Sequence, residues 1–153
     1  KIFSKLISAF NEIQKKIKVI YPIHPRAKEQ IRKFGLRNRF QRMKNFITTP
    51  PVGYIDMIKL VSESKFLMTD SGGLQEETTF LKVPCLTLRE TTERPITIDK
   101  GTNVLCKRDK EKIIKEAKKI LKGKEKKGQI PKLWDGKTAE RIVRILIKSN
   151  KGL

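Results

Sequence analysis

The chain has 153 residues, with 36 Lys and Arg against 16 Asp and Glu, a formal net charge of +20 and a pI near 10.2. That length suits one domain that buries a core without disulfide or metal staples, and a hydrophobic fraction of 37% argues against a disordered chain. No apolar run approaches the ~18 residues of a membrane span, and KIFSKLISAFNEIQ lacks the apolar block and cleavage site of a signal peptide, so a soluble, cytoplasmic protein is expected. One His and two Cys argue against a structural zinc site. Cys85 and Cys106 sit inside apolar runs and are expected as buried thiols.

Phe3, Leu6, Ile7, Phe10, Ile13 and Ile17 recur at helical spacing, so the chain opens on an amphipathic helix. A chain that opens inside a helix is expected to belong to a longer protein. The β-branched run 18–23 predicts a strand, and 26–34 a helix closed by Gly35. Further strands are expected at 45–49, 65–69, 85–88 and 103–106. Further helices are expected at 57–64, after the turn at Asp70 up to Leu81, at 107–127 and at 138–148, the last with an apolar stripe of Ile142, Ile145 and Leu146. Strands alternating with helices over short links indicate one domain over 1–153: an α/β, Rossmann-like, three-layer architecture with a mainly parallel sheet.

The charge invites a nucleic-acid reading. In 107–127, however, Ile113, Ile114, Ala117, Ile120 and Leu121 take the inner face of an amphipathic helix and leave the lysines to solvent. No zinc finger, RNA-recognition signature or row of stacking aromatics accompanies them, so nucleic acid is not the expected partner. A non-catalytic module binding polyanions remains the alternative to an enzyme domain.

In a parallel sheet the ligand lies at the carboxyl ends of the strands, beside helix N-termini. FLMTD running into SGGLQEE has that form. Gly72 and Gly73 remove side chains where backbone must approach a ligand, and free N–H groups at a helix start favour an anion such as a diphosphate. Ser71 offers a hydroxyl, and Glu76 and Glu77 lie one turn on, where a carboxylate accepts hydrogen bonds from a ribose diol. The competing reading is a capped helix after a tight turn. The cluster RETTERP, 89–95, follows the strand CLTL; if the strands are parallel it emerges on the same edge, where the fork of Arg94 suits two phosphate oxygens. A loop of internal salt bridges is the alternative there.

YPIHP (21–25), PVGYIDM (51–57), LMTDSGGLQEE (67–77), LKVPCLTLRETTERP (81–95) and KGTNVL (100–105) together resemble the C-terminal domain of UDP-N-acetylglucosamine 2-epimerases. TDSGG-x-QEE followed by R-x-TTERP carries the resemblance, which runs in order from 18 to 148. It implies one half of a glycosyltransferase-B-type enzyme, with UDP-sugar held between two Rossmann-like domains. Carried over by position, Ser71, Gly72 and Gly73 would hold the diphosphate, Glu77 the ribose hydroxyls, and Arg94 the nucleotide pocket. Val52 and Met57 would flank the uracil, with Met57 standing where the family has an aromatic ring. His24 matches a position that touches a regulatory UDP-N-acetylglucosamine in some members, but Pro25-Arg26-Ala27 replaces the usual Asn-Pro, which favours a structural histidine at a strand end. The family reaction eliminates UDP to a glucal and re-adds it to give the C2 epimer; a hydrolysing subgroup releases N-acetylmannosamine and UDP. No cofactor or metal is implied. The acid/base carboxylates and a catalytic lysine belong to the family's N-terminal domain, which this chain lacks, and the resemblance implies a homodimer for the full-length protein.

Overall fold

The computed structural model describes residues 2–150. Helix α1 (Ile2–Gln14) buries Ile7, Ala9 and Ile13, and Leu6 and Phe10 of its apolar series pack partly buried against the same cluster. Strand β1 (Val19–Pro22) pairs in parallel with β2 (Phe46–Thr49) from Val19 opposite Phe46 to Pro22 opposite Thr49. Helices α2 (Pro25–Lys33) and α3 (Arg37–Gln41) connect them, and Gly35 turns the chain between the two with φ +63°, a conformation that glycine adopts without steric penalty.

Helix α4 (Tyr54–Ser62) leads into β3 (Leu67–Thr69), α5 (Gly72–Leu81), β4 (Cys85–Thr87), α6 (Pro95–Asp99) and β5 (Asn103–Leu105). Leu67, Cys85 and Asn103 stand abreast in a second parallel sheet of order β3-β4-β5. Every strand pair is thus parallel, as the alternation of strands and helices predicts, while the sheet is divided into a two-stranded and a three-stranded part. Between β1 and β3 lies a cavity of about 420 Å³ walled by Phe10, Tyr21, Phe66, Met68 and their neighbours.

Side chains of β4 alternate in direction, as a strand requires. Leu86 and Leu88 enter the main apolar cluster with Ala9, Ile13, Cys106, Ile113, Ala117 and Ile120, joining α1 to α7 (Lys110–Leu121). Cys85 meets Thr78 of α5 on the other face. Both cysteines are buried and free. Helix α8 (Thr138–Asn150) follows a loop of irregular backbone.

Three boundaries depart from the sequence-based expectation by three residues or more. The lysine helix begins at Lys110, because Asp109 caps it by accepting the Lys112 N–H at 2.9 Å, and it ends at Leu121, ahead of Gly123 with φ +68°. Helix α4 begins at Tyr54, three residues before Met57, with Gly53 as its N-cap. Helices α3 and α6 are too short to show an apolar period. The apolar stripe of α8 has no cover: Ile142, Val143, Ile145, Leu146 and Ile147 are all more than half exposed.

Candidate anion-binding site

The loops after β3, β4 and β5 leave the same carboxyl edge of the three-stranded sheet, because the strands are parallel. After β3 the chain takes one tight step into α5. The Ser71 N–H donates to Thr69 Oγ1 at 3.0 Å, and Ser71 is the N-cap residue of α5 with no capping bond from its own hydroxyl. The first turn of α5 carries no acidic residue, so the positive end of its dipole is uncompensated within the helix.

The loop after β4 supplies the opposing charge. A Cβ placed on Gly72 would lie 2.8 Å from Glu93 Oε1 and 3.8 Å from Arg94 Nε, so both side chains reach the start of α5 and glycine is what admits them. Arg94 Nε pairs with Glu76 Oε1 at 3.1 Å, and Arg89 with Glu93 at 2.7 Å. Glu93 is held below the ordinary carboxylate range by its own backbone N–H and by Arg89. The two readings of RETTERP therefore coexist: the loop is internally ion-paired, and Arg94 stands at the helix start.

Glu77 projects toward Tyr54 at the start of α4, and its negative charge raises the pKa of the Tyr54 phenol. Met57 lines the cavity between the sheets with Tyr21, Thr69, Asp70 and Leu74. The Tyr21 phenol is raised first by burial and then by the Asp70 charge, which places the end of β1 beside the end of β3. Val52 is half-buried in the loop before α4. His24 caps α2, its Nδ1 accepting the Arg26 N–H at 3.2 Å, so the ring performs a local structural task. The structure thus gathers Ser71, Gly72, Gly73 and Arg94, puts Glu77 one turn along the same helix, and leaves Val52 and Met57 on the α4 side and His24 at the end of β1. Among the described residues no cluster of His, Cys, Asp and Glu gathers as a metal site.

Sequence reasoning passed over the residues beneath this surface. Gln75, Thr78, Thr79, Thr97 and Asn103 are wholly buried. Gln75, Thr78 and Thr79 share one face of α5 at spacings of three and four, the geometry of a core-facing stripe, but written in hydrogen-bonding side chains. A polar stripe at helical period on a helix flanked by buried strands is the signal that finds them.

A parallel α/β domain with a helix N-terminus free of a side-chain cap at its carboxyl edge, faced by an arginine-bearing loop, has the construction shared by nucleotide-handling α/β domains. Residues 1–147 match the UDP-N-acetylglucosamine 2-epimerase family, and the chain belongs to it. It is 44% identical over 128 residues to the UDP-N-acetylglucosamine 2-epimerase of Methanocaldococcus jannaschii, covering 84% of this chain and 34% of that one. It is 40% identical over 152 residues to the enzyme of that name from Methanococcus maripaludis, covering 98% and 41%. The crystal structure of the M. jannaschii UDP-GlcNAc 2-epimerase in complex with UDP-GlcNAc and UDP superposes with a TM-score of 0.84 at 39% identity, over 96% of this chain and 41% of that one. The chain therefore spans about two fifths or less of the length of these relatives.

Proposed function

We propose that this chain is the C-terminal, UDP-binding domain of a UDP-N-acetylglucosamine 2-epimerase. The observation that carries the reading is the meeting, at Gly72, of an α5 N-terminus without a side-chain cap and the Arg94 side chain, with the Glu93 carboxylate beside them in the place a bound anion would take. In this reading Ser71, Gly72 and Gly73 receive the diphosphate, Glu77 the ribose hydroxyls, and Arg94 trades part of its pairing with Glu76 for phosphate oxygens. Val52 and Met57 serve the base side. These groups hold the leaving group: negative charge growing on UDP as the glycosidic bond breaks meets a fixed dipole and a guanidinium, which stabilise it without reorganisation. Proton transfer at C2 belongs to the part of the relatives' length that this chain does not span, so the chain alone turns over no UDP-N-acetylglucosamine.

The test is titration of the 153-residue chain with UDP, followed by amide chemical shifts. A half-built cleft leaves the nucleotide largely solvated, so the dissociation constant is expected near millimolar, about −4 kcal/mol. Shifts at Ser71, Gly72 and Gly73 that survive 0.5 M salt, a concentration at which screening reaches only about 4 Å, support the reading. Shifts confined to the lysines of α7, erased by the same salt, overturn it in favour of diffuse polyanion binding.

A further inference from the structure

The two walls of the site are joined underneath by a closed ring of hydrogen bonds. Gln75 Nε2 donates to the Ser71 carbonyl at 3.2 Å, and Gln75 Oε1 accepts from Thr92 Oγ1 at 2.6 Å. Thr92 Oγ1 accepts the Arg94 N–H at 3.0 Å. The Arg94 carbonyl accepts from Thr97 Oγ1 at 2.7 Å, which in turn accepts from Asn103 Nδ2 at 3.1 Å. Asn103 Nδ2 also donates to the Gln75 carbonyl at 3.3 Å, closing the ring. Each hydroxyl in the circuit gives one hydrogen and receives one, so no member competes with another. Gln75, Thr97 and Asn103 are buried from solvent, where a lost partner is not replaced by water.

We infer that Thr92 and Gln75 are positioning residues for the diphosphate subsite. Neither side chain needs to touch the ligand. Thr92 fixes the backbone of Arg94, Gln75 fixes the backbone of Ser71, and the 2.6 Å bond between them sets the gap between the guanidinium wall and the helix N-terminus. The ring carries that gap to α6 and β5, so the cradle is preorganised before any anion arrives. This rests on the reading of the site as a UDP site.

Gln75 is central to the buried ring and its replacement threatens folding, so the test falls on half-buried Thr92. Thr92→Val removes the hydroxyl at constant volume, Thr92→Ala removes it with less bulk, and Thr92→Ser keeps it. Thr102→Val is the control, a buried threonine whose hydroxyl bonds the Thr78 carbonyl and Asn103 Oδ1, neither of which is a link of the ring. UDP affinity of the chain is measured by titration, and the melting temperature and the amide signals of Ser71 and Arg94 are recorded without ligand. The expected result is about tenfold weaker UDP binding for Thr92→Val and Thr92→Ala, the scale of one lost hydrogen bond, with displaced Ser71 and Arg94 signals. Thr92→Ser restores both readouts, and Thr102→Val lowers the melting temperature without moving affinity. Wild-type affinity in both hydroxyl-less variants overturns the inference alone, as does a loss in Thr102→Val equal to that in Thr92→Val. Failure of the wild-type chain to bind UDP overturns the site reading, and this inference with it.

Discussion

Two glycines show how differently one missing methyl group can matter. At Gly101 an added Cβ would strike the Thr79 side chain and lie 2.5 Å from the Thr97 carbonyl oxygen, and backbone cannot swing aside. Gly101→Ala is expected to destabilise the fold by about 2 kcal/mol or more, in the range of overpacked sites, as read by denaturant melts. At Gly72 the obstacle is the mobile end of the Glu93 side chain, so Gly72→Ala is expected to change stability by less than about 1 kcal/mol while placing a methyl group where the anion must approach. UDP titration of both variants checks the contrast, and intact affinity in Gly72→Ala would remove that position from the cradle. Glu77 is separated from a mere helix-start residue in the same way. In the full-length protein Glu77→Gln should weaken UDP and UDP-sugar together by about 1.5–3 kcal/mol, as for a hydrogen bond to a charged group, and a calorimetric titration that shows no change would exclude Glu77 from ribose contact.

At the scale of elements, what the sequence announced and what it concealed have separate physical causes. Strand β4 was legible because a parallel, doubly covered strand is a short apolar run: Cys85, Leu86 and Thr87 are all buried, whereas β1 and β2, which expose Ile20 and Ile47, were legible by their β-branched residues. The helices α1 and α7 were legible by period, and α5, with Ser71, Gly72 and Gly73 at its start, by the strand-to-helix turn. Helix α6 was not, since five residues, Pro95–Asp99, complete barely more than one turn. The Gln75 to Asn103 ring was not legible either, because sequence periodicity weighs apolar residues and the ring's members are threonine and amides far apart in the chain. The same contrast predicts which helix ends matter. Asp109→Ala deletes the bond to the Lys112 N–H that starts α7, and α7 carries Ile113, Ala117 and Ile120 into the main cluster. A loss of about 1 kcal/mol in global stability is expected. Helix α8 has no comparable stake in the core, and its amides are expected to exchange with solvent well before those of α7.

Over the molecule as a whole, positive charge and apolar side chains share the surface, and on α8 exposed Arg144 and Lys148 stand among exposed Ile and Leu side chains. Lysines of α7 face solvent, and the main uncovered apolar surface of a single element is on α8. Cys85 and Cys106 lie deep in the opposite sense, their thiols pushed up by burial to about 11 and about 12. A raised thiol pKa means less thiolate at any working pH, so at pH 8 both cysteines are expected to resist a thiol reagent in the native chain and to react fully in denaturant. Prompt native labelling of either would show that the core opens at that strand.

The order β3-β4-β5 has a consequence for how the chain reaches its fold. Each strand of that sheet lies beside the one emitted just before it, and no strand from elsewhere must be threaded between them. The loops to be closed are short, so the entropy of ring closure is small and contacts are local in sequence. During synthesis the carboxyl edge of this sheet, from Thr69 to Asp109, can therefore assemble in the order in which its residues leave the ribosome, with α7 following to close over the apolar face of α1.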